Sequence, residues 1–299
     1  MLQQFNEKNR DIKVNINGEL IHRDQAGVSP FDSSVQNGDA VWEGLRVYDG
    51  KIFRLNEHLD RLQHSAKALA YEGIPSHEEL IEQIKRTLAA NDMRDGVHIR
   101  LKLTRGLKYT SGLDPRINQV GPTLIILAEH KPPVYDKTGI RLITSTYRRP
   151  NADVLDQKIH SSNQLTSILA KIQANAAGAD DALMLDQRGF VAETNATHVY
   201  IVDGGRMLTP TTAACPEGIT RSVVIELCEQ NGIECVIGDF TLAEIYRADE
   251  MLCSGTMGEL APVVEVDGRR IADGGTGPMT KRLSGLFRAL TEKEGVVVV

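Results

Sequence analysis

Hydrophobic and polar residues alternate with two different periods along this chain, and each change of period marks an element. From Val97 to Thr104 the period is two: Val97, Ile99, Leu101 and Leu103 share one face, and His98, Arg100, Lys102 and Thr104 the other, which predicts a half-buried strand. The segment 45–53 reads as a hairpin turning at Asp49-Gly50, and 123–127 as a strand apolar enough to be central. Helical spacing takes over behind an Asn56 cap, with Leu59, Leu62, Ala66 and Leu69 on one face and a stop at Gly73. The capping box Ser76-His77-Glu78-Glu79 opens a second helix carrying Leu80, Ile81, Ile84 and Leu88.

Past Lys131-Pro132-Pro133, where consecutive prolines stiffen the chain and remove ladder donors, the pattern turns strand-rich. Strands are predicted at 140–145, 182–186, 190–193, 198–202 and 206–209, with Met251-Leu252-Cys253 ending another. Helices are predicted over 162–177, with Leu165, Ile168, Leu169 and Ile172 at helical spacing, from Ile219 to before Gly232, from the box Thr241-Leu242-Ala243-Glu244, and from about Pro278. A further hairpin turns at Asp267-Gly268. The expectation is an α+β / α/β two-domain chain: a small N-terminal α/β domain over 1–130, a linker over 131–139, and a larger β-rich domain over 140–299.

Composition narrows the function classes. The net charge of −6 argues against a nucleic-acid groove or a polybasic membrane patch. The start, Met1-Leu2-Gln3-Gln4-Phe5, lacks the apolar core of a signal peptide, and no apolar run reaches membrane-spanning length, so a soluble cytoplasmic protein is expected. Cys215, Cys228, Cys235 and Cys253 match no zinc spacing and read as reduced thiols; no metal is expected.

Lys158 stands ahead of a helix, and Glu193, 35 positions on, at the edge of a hairpin. A lysine can form a Schiff base with pyridoxal phosphate, and a carboxylate can keep the ring nitrogen protonated, which turns the ring into an electron sink. A phosphate needs backbone donors at a helix start, and Gly218-Ile219-Thr220-Arg221 offers one; Ser254-Gly255-Thr256 is a second small-residue turn. Alone, each is also an ordinary turn, and Arg61 an ordinary helix arginine facing Glu57.

Six segments occur in order: Trp42-Glu43-Gly44-Leu45-Arg46, Asn56-Glu57-His58-Leu59-Asp60-Arg61-Leu62, the Lys158 and Glu193 runs, Gly218-Ile219-Thr220-Arg221 and Ser254-Gly255-Thr256. Together they resemble the class IV, fold-type IV pyridoxal-phosphate aminotransferases, over about residues 10–290. The resemblance implies Lys158 as Schiff-base lysine and Glu193 as ring-nitrogen partner. It implies Arg61, Ile219, Thr220 and Thr256 as phosphate ligands, and a homodimer whose active sites lie at the interface. It also implies ping-pong transfer of an amino group from a branched-chain-like amino acid to 2-oxoglutarate.

Gly44, Arg46 and Arg100 resemble the branched-chain pattern, whereas Asn37 and His98 stand where branched-chain enzymes carry tyrosines. Trp42 replaces another aromatic, and His198 stands in place of an asparagine. Substrate contacts are therefore expected from Asn37, Trp42, Gly44, Arg46, His98, Arg100, Thr256 and Met257. Arg105, Lys108 and Arg116, in the loop before Pro122, could recruit a second carboxylate. A D-amino-acid or (R)-selective amine transaminase is the alternative, with an aminodeoxychorismate lyase or a non-catalytic cofactor-binding protein beyond it.

Overall fold

A computed structural model describes residues 3–135 and 138–299. Met1, Leu2 and two positions of the expected linker, 136 and 137, lie outside the described residues. The chain forms two units. The N-terminal unit holds residues up to Pro132 and takes in two later pieces, Ile159–Asn163 and Thr291–Val299. The C-terminal unit holds Pro133–Lys158 and Gln164–Leu290, so Lys158 is the last residue before the chain passes into the other unit.

The N-terminal unit is built from β1 (Lys13–Ile16), β2 (Glu19–His22), α1 (Ser33–Asn37), β3 (Ala40–Tyr48), β4 (Lys51–Ile52), α2 (Leu55–Ala68), α3 (His77–Ala89), β5 (Val97–Thr104) and β6 (Thr123–His130). A seven-stranded antiparallel sheet runs β4-β3-β5-β6-β1-β2, with the C-terminal strand Val296–Val297 paired outside β4. Val41, Leu45 and Val47 of β3 and the odd-numbered residues of β5 form a core with Leu55, Leu59 and Leu62 of α2 and Leu80, Ile84 and Leu88 of α3. Both bonds of the Ser76 capping box form. The expected Asn56 cap does not: α2 starts earlier, because Arg54 turns the chain in a left-handed conformation (φ 52°) and Leu55 is already buried. The helix ends at Ala68, with left-handed Ala70 (φ 54°), before it reaches Gly73. Strands β1 and β2, with their Asn17-Gly18 turn, have no counterpart among the predicted elements.

The C-terminal unit follows with β7 (Ile140–Arg148), α4 (Ala152–Leu155), α5 (Leu165–Ala176), β8 (Asp181–Leu185), β9 (Val191–Thr194), β10 (His198–Asp203), β11 (Arg206–Thr209), α6 (Ile219–Gln230), β12 (Cys235–Ile237), α7 (Leu242–Tyr246), β13 (Glu250–Gly255), β14 (Glu259–Val266), β15 (Arg269–Arg270) and α8 (Pro278–Lys293), whose last residues belong to the N-terminal unit. Its sheet runs β12-β11-β10-β13-β14-β7-β8-β9, with β15 beside β14. The β11–β12, β14–β7 and β7–β8 pairs are parallel and the rest antiparallel. One expectation reverses: α5 buries its small residues Ser167, Ala170 and Ala174, while Leu165, Ile168 and Ile172 stand 53–67% exposed. Short side chains let the helix lie close on β7 and β8, and the apolar stripe faces outward.

Candidate active site

In the C-terminal unit, β9 and β10 meet in the tight turn Thr194-Asn195-Ala196-Thr197. Thr194 N–H donates to Thr197 O (2.8 Å), and their hydroxyls bond to each other (2.7 Å). Pairing 194 with 197 places Glu193 opposite His198. Glu193 is buried, with Oε1 2.9 Å from an Arg149 nitrogen and Oε2 3.8 Å from His198 Nδ1. Arg149, also buried, donates to Thr194 O (2.8 Å) and Ser167 Oγ (3.1 Å), which locks the guanidinium behind the carboxylate. Sequence reasoning missed Arg149; its one signal was a second arginine just before Pro150 at the end of a strand.

Cys215 joins this cluster, so that Glu193, His198 and Cys215 each offer a ligand-type atom within 4.8 Å of the others. Burial, followed by the Glu193 charge, pushes the Cys215 thiol far up, and its S–H points to Thr211 O at 3.6 Å. A protonated thiol is a poor metal ligand, and Arg149 already balances the carboxylate. This donor set suits a protonated ring nitrogen facing Glu193 better than a metal ion.

Lys158 lies on the turn after α4, with its N–H donating to Asp156 Oδ1 (3.0 Å) and its side chain exposed. Ile219 and Thr220 open α6 behind Gly218, which brings no capping side chain, so the first-turn N–H groups receive no acceptor from their own cap. These donors, on a 12-residue helix, are what a phosphate needs. Thr256 and Met257 sit in the turn joining β13 to β14, where Met257 O accepts from Val134 N–H (3.0 Å). Ser254 pairs with His198 in the ladder and Gly218 lies against the His198 ring, so both turns border the same strand, β10.

The N-terminal unit holds a second buried carboxylate. Glu43 accepts from Arg61 Nε (2.8 Å) and NH2 (2.7 Å), lies 2.6 Å from His58 Nδ1, and has His160 Nδ1 at 3.3 Å. Burial pushes the Glu43 carboxyl up, but the Arg61 and His160 charges and hydrogen bonds outweigh it and hold the group well below 4.5. Burial, reinforced by Arg61, lowers His160 despite the Glu43 charge. Arg61 is therefore no exposed partner of Glu57, which takes Arg54 instead (3.1 Å).

The other face of the same sheet gathers five of the eight expected substrate residues. Register pairs Gly44 with Arg100 and Arg46 with His98, which sets Trp42, Gly44, Arg46, His98 and Arg100 on one face. The Arg100 guanidinium lies 4.1 Å from the Trp42 ring centre, and Trp42 stacks on His160 at 4.5 Å. A Cβ on Gly44 would only reach ordinary contact with Trp42 and His98. His98 is buried rather than solvated; burial first, then Lys131, Arg100 and Arg46, push its imidazole down to about 3, so it is neutral.

Asn37 ends α1, and its Oδ1 accepts from the buried Lys108 Nζ, which also donates to Gly112 O (2.6 Å). Of the other two loop cations, Arg105 pairs with Asp39 (2.6 Å) and Arg116 with Asp114. Lys108 is the one whose recorded acceptors are both neutral.

Residues 40–266 match the family described as amino-transferase class IV. The chain is 52% identical over 284 residues, 95% of its length, to the branched-chain-amino-acid aminotransferase-like protein 2 of Arabidopsis thaliana. It spans about half the length of the first two curated relatives it matches, 51% in each case. It is also 34% identical over 278 residues to a D-alanine aminotransferase of Bacillus licheniformis, with 91% of this chain and 94% of the relative covered. A crystal structure of the T.th. branched-chain amino acid aminotransferase with pyridoxamine 5'-phosphate superposes with a TM-score of 0.88 at 33% identity, covering 95% of each chain.

Proposed function

The chain belongs to the class IV aminotransferases, and from that premise we propose that it moves an amino group from a branched-chain-like amino acid to 2-oxoglutarate by a ping-pong mechanism, with pyridoxal 5'-phosphate held on Lys158. The observation that carries this reading is the buried Glu193–Arg149 pair, set beside an α6 start that has no capping side chain of its own. When bound, the cofactor supplies an electron sink for the charge that develops at the substrate Cα. Glu193 holds the proton on the ring nitrogen, and Arg149 fixes the carboxylate's position. The Ile219 and Thr220 N–H groups, the Thr256 hydroxyl and the Arg61 guanidinium hold the phosphate, with Glu43 orienting Arg61. Lys158 would serve as the general base and then the general acid that handles the substrate Cα proton.

Arg46 and Arg100 give one sheet face a positive field for carboxylates, and neutral His98 adds no charge that would compete. Gly44 leaves room beside Trp42 for a branched side chain, with Met257 and Asn37 as further substrate contacts. The outward stripe Leu165, Ile168 and Ile172 on α5 suits burial against a second copy, and we assign the protein to a homodimer with active sites at its interface. No helix among the described residues is long and apolar enough to cross a membrane; no disulfide joins the four cysteines, in keeping with the cytoplasmic setting proposed here.

Borohydride reduction of the PLP-loaded protein followed by peptide mapping should place the adduct on Lys158, and Lys158→Ala should lose both the adduct and turnover. An adduct on another residue would overturn the assignment. The D-amino-acid or (R)-amine reading is favoured by one observation, the Asn37–Lys108 contact at a position expected to carry tyrosine. Bleaching of the loaded enzyme's visible band by L-leucine, D-alanine or (R)-1-phenylethylamine decides between them, and pyruvate release without a keto-acid acceptor would point to the lyase.

A further inference from the structure

His198 adjoins three parts of the proposed cofactor cradle: Glu193, the start of α6 and the end of β13. Its backbone pairs with Ser254 in the β10–β13 ladder, next to the Gly255-Thr256 turn. Its Nδ1 faces Glu193 Oε2 at 3.8 Å. Its Nε2 edge fills the notch left by Gly218, where a Cβ would overlap both Nε2 and Cδ2. The residue is buried and has Cys215 on a further side, so the ring has little room to retreat.

We propose that His198 is a positioning residue: its imidazole is wedged between Glu193 and the start of α6, setting the distance from the ring-nitrogen partner to the phosphate-binding turn. Nδ1 faces the Glu193 carboxylate, and Nε2 faces the first turn of α6. Gly218 and His198 then form one complementary pair, the absent side chain of the first making the seat for the second. Because this rests on the PLP reading, wild-type protein that fails to load PLP at Lys158 sinks that reading itself, whereas the variants below bear on His198 alone.

The test measures PLP dissociation constants on the apo-protein and the visible spectrum of the loaded form. Gly218→Ala should weaken PLP about tenfold or more by forcing the imidazole off its seat, and adding His198→Asn, which is shorter but keeps a donor, should restore it to within about threefold. His198→Leu, similar in bulk but without a donor, should weaken PLP about tenfold and shift the visible band. If Gly218→Ala binds PLP normally, or His198→Asn fails to rescue it, the pairing is wrong. Should Gly218→Ala not fold, His198→Leu decides: wild-type affinity with an unshifted band overturns the proposal.

Discussion

Glu43 in the N-terminal unit and Glu193 in the C-terminal unit are both buried, and each has an arginine and at least one imidazole against it. Around Glu43 the contacts are short and numerous: two from Arg61, one from His58 and a longer one from His160, beneath a helix and on the core side of a sheet. Around Glu193 the recorded ion pairs are 2.9 and 3.8 Å, at the end of a hairpin and next to a helix start. The same chemical ingredients thus build a clamp that fixes an arginine in one unit and, in the other, the buried carboxylate for which we propose the task of holding a ligand's proton. What differs is the surroundings, since a glycine beside Glu193's imidazole leaves a notch and nothing comparable adjoins Glu43 among the described residues.

The hardest blow to this contrast comes from Glu43→Gln. Without the buried charge, the part-buried Arg61 has lost its counter-ion, and a loss of about 3–5 kcal/mol in unfolding free energy is expected from urea titration. Glu193→Gln should instead lower kcat/KM at least about 100-fold, equivalent to about 2.7 kcal/mol of barrier. Its stability should fall by less than that of Glu43→Gln, because Arg149 keeps its bonds to Thr194 O and Ser167 Oγ. Equal stability losses for the two variants, or an active Glu193→Gln enzyme, would erase the distinction.

Much of this is legible in the sequence where a local rule and the tertiary context agree. The Ser76 box, the Asp49-Gly50 and Asp267-Gly268 turns and the period-two strand at 97–104 carry their own geometry, and all form. The start of α2 misleads because a left-handed Arg54 caps the chain with backbone instead of side chain. The α5 stripe misleads because helical spacing reports an apolar face and not which face is buried; Ala170 and Ala174 win that place by being small. Lys158, Glu193 and the Gly218 turn stand out through residue type and order. Their partners Arg149, His198 and Cys215 come together only when β7, β10 and the segment before α6 are folded, and no spacing in the chain announces that.

The histidines offer the smallest and cleanest test of the comparison, since His58, His160 and His198 face carboxylates while His98 faces cations. Lys131, Arg100 and Arg46 surround His98; Glu129, its cross-strand neighbour, acts on Arg100. His98's folded value of about 3 lies below the ordinary 6.5, so between these limits the unfolded chain binds the extra proton. Stability from this residue is therefore complete above 6.5 and is lost as pH falls towards 3, at about 1.4 kcal/mol per pH unit. Replacing His98 by Gln removes that slope and leaves the other histidines and the carboxylates untouched. Between pH 7 and pH 5 the wild-type protein should lose about 2 kcal/mol more than His98→Gln, measured as urea unfolding free energies at each pH. Parallel losses in the two proteins would mean that the imidazole takes a proton in the folded state, and that the sheet face is not the cation-rich, neutral-histidine surface on which carboxylate recognition has been argued.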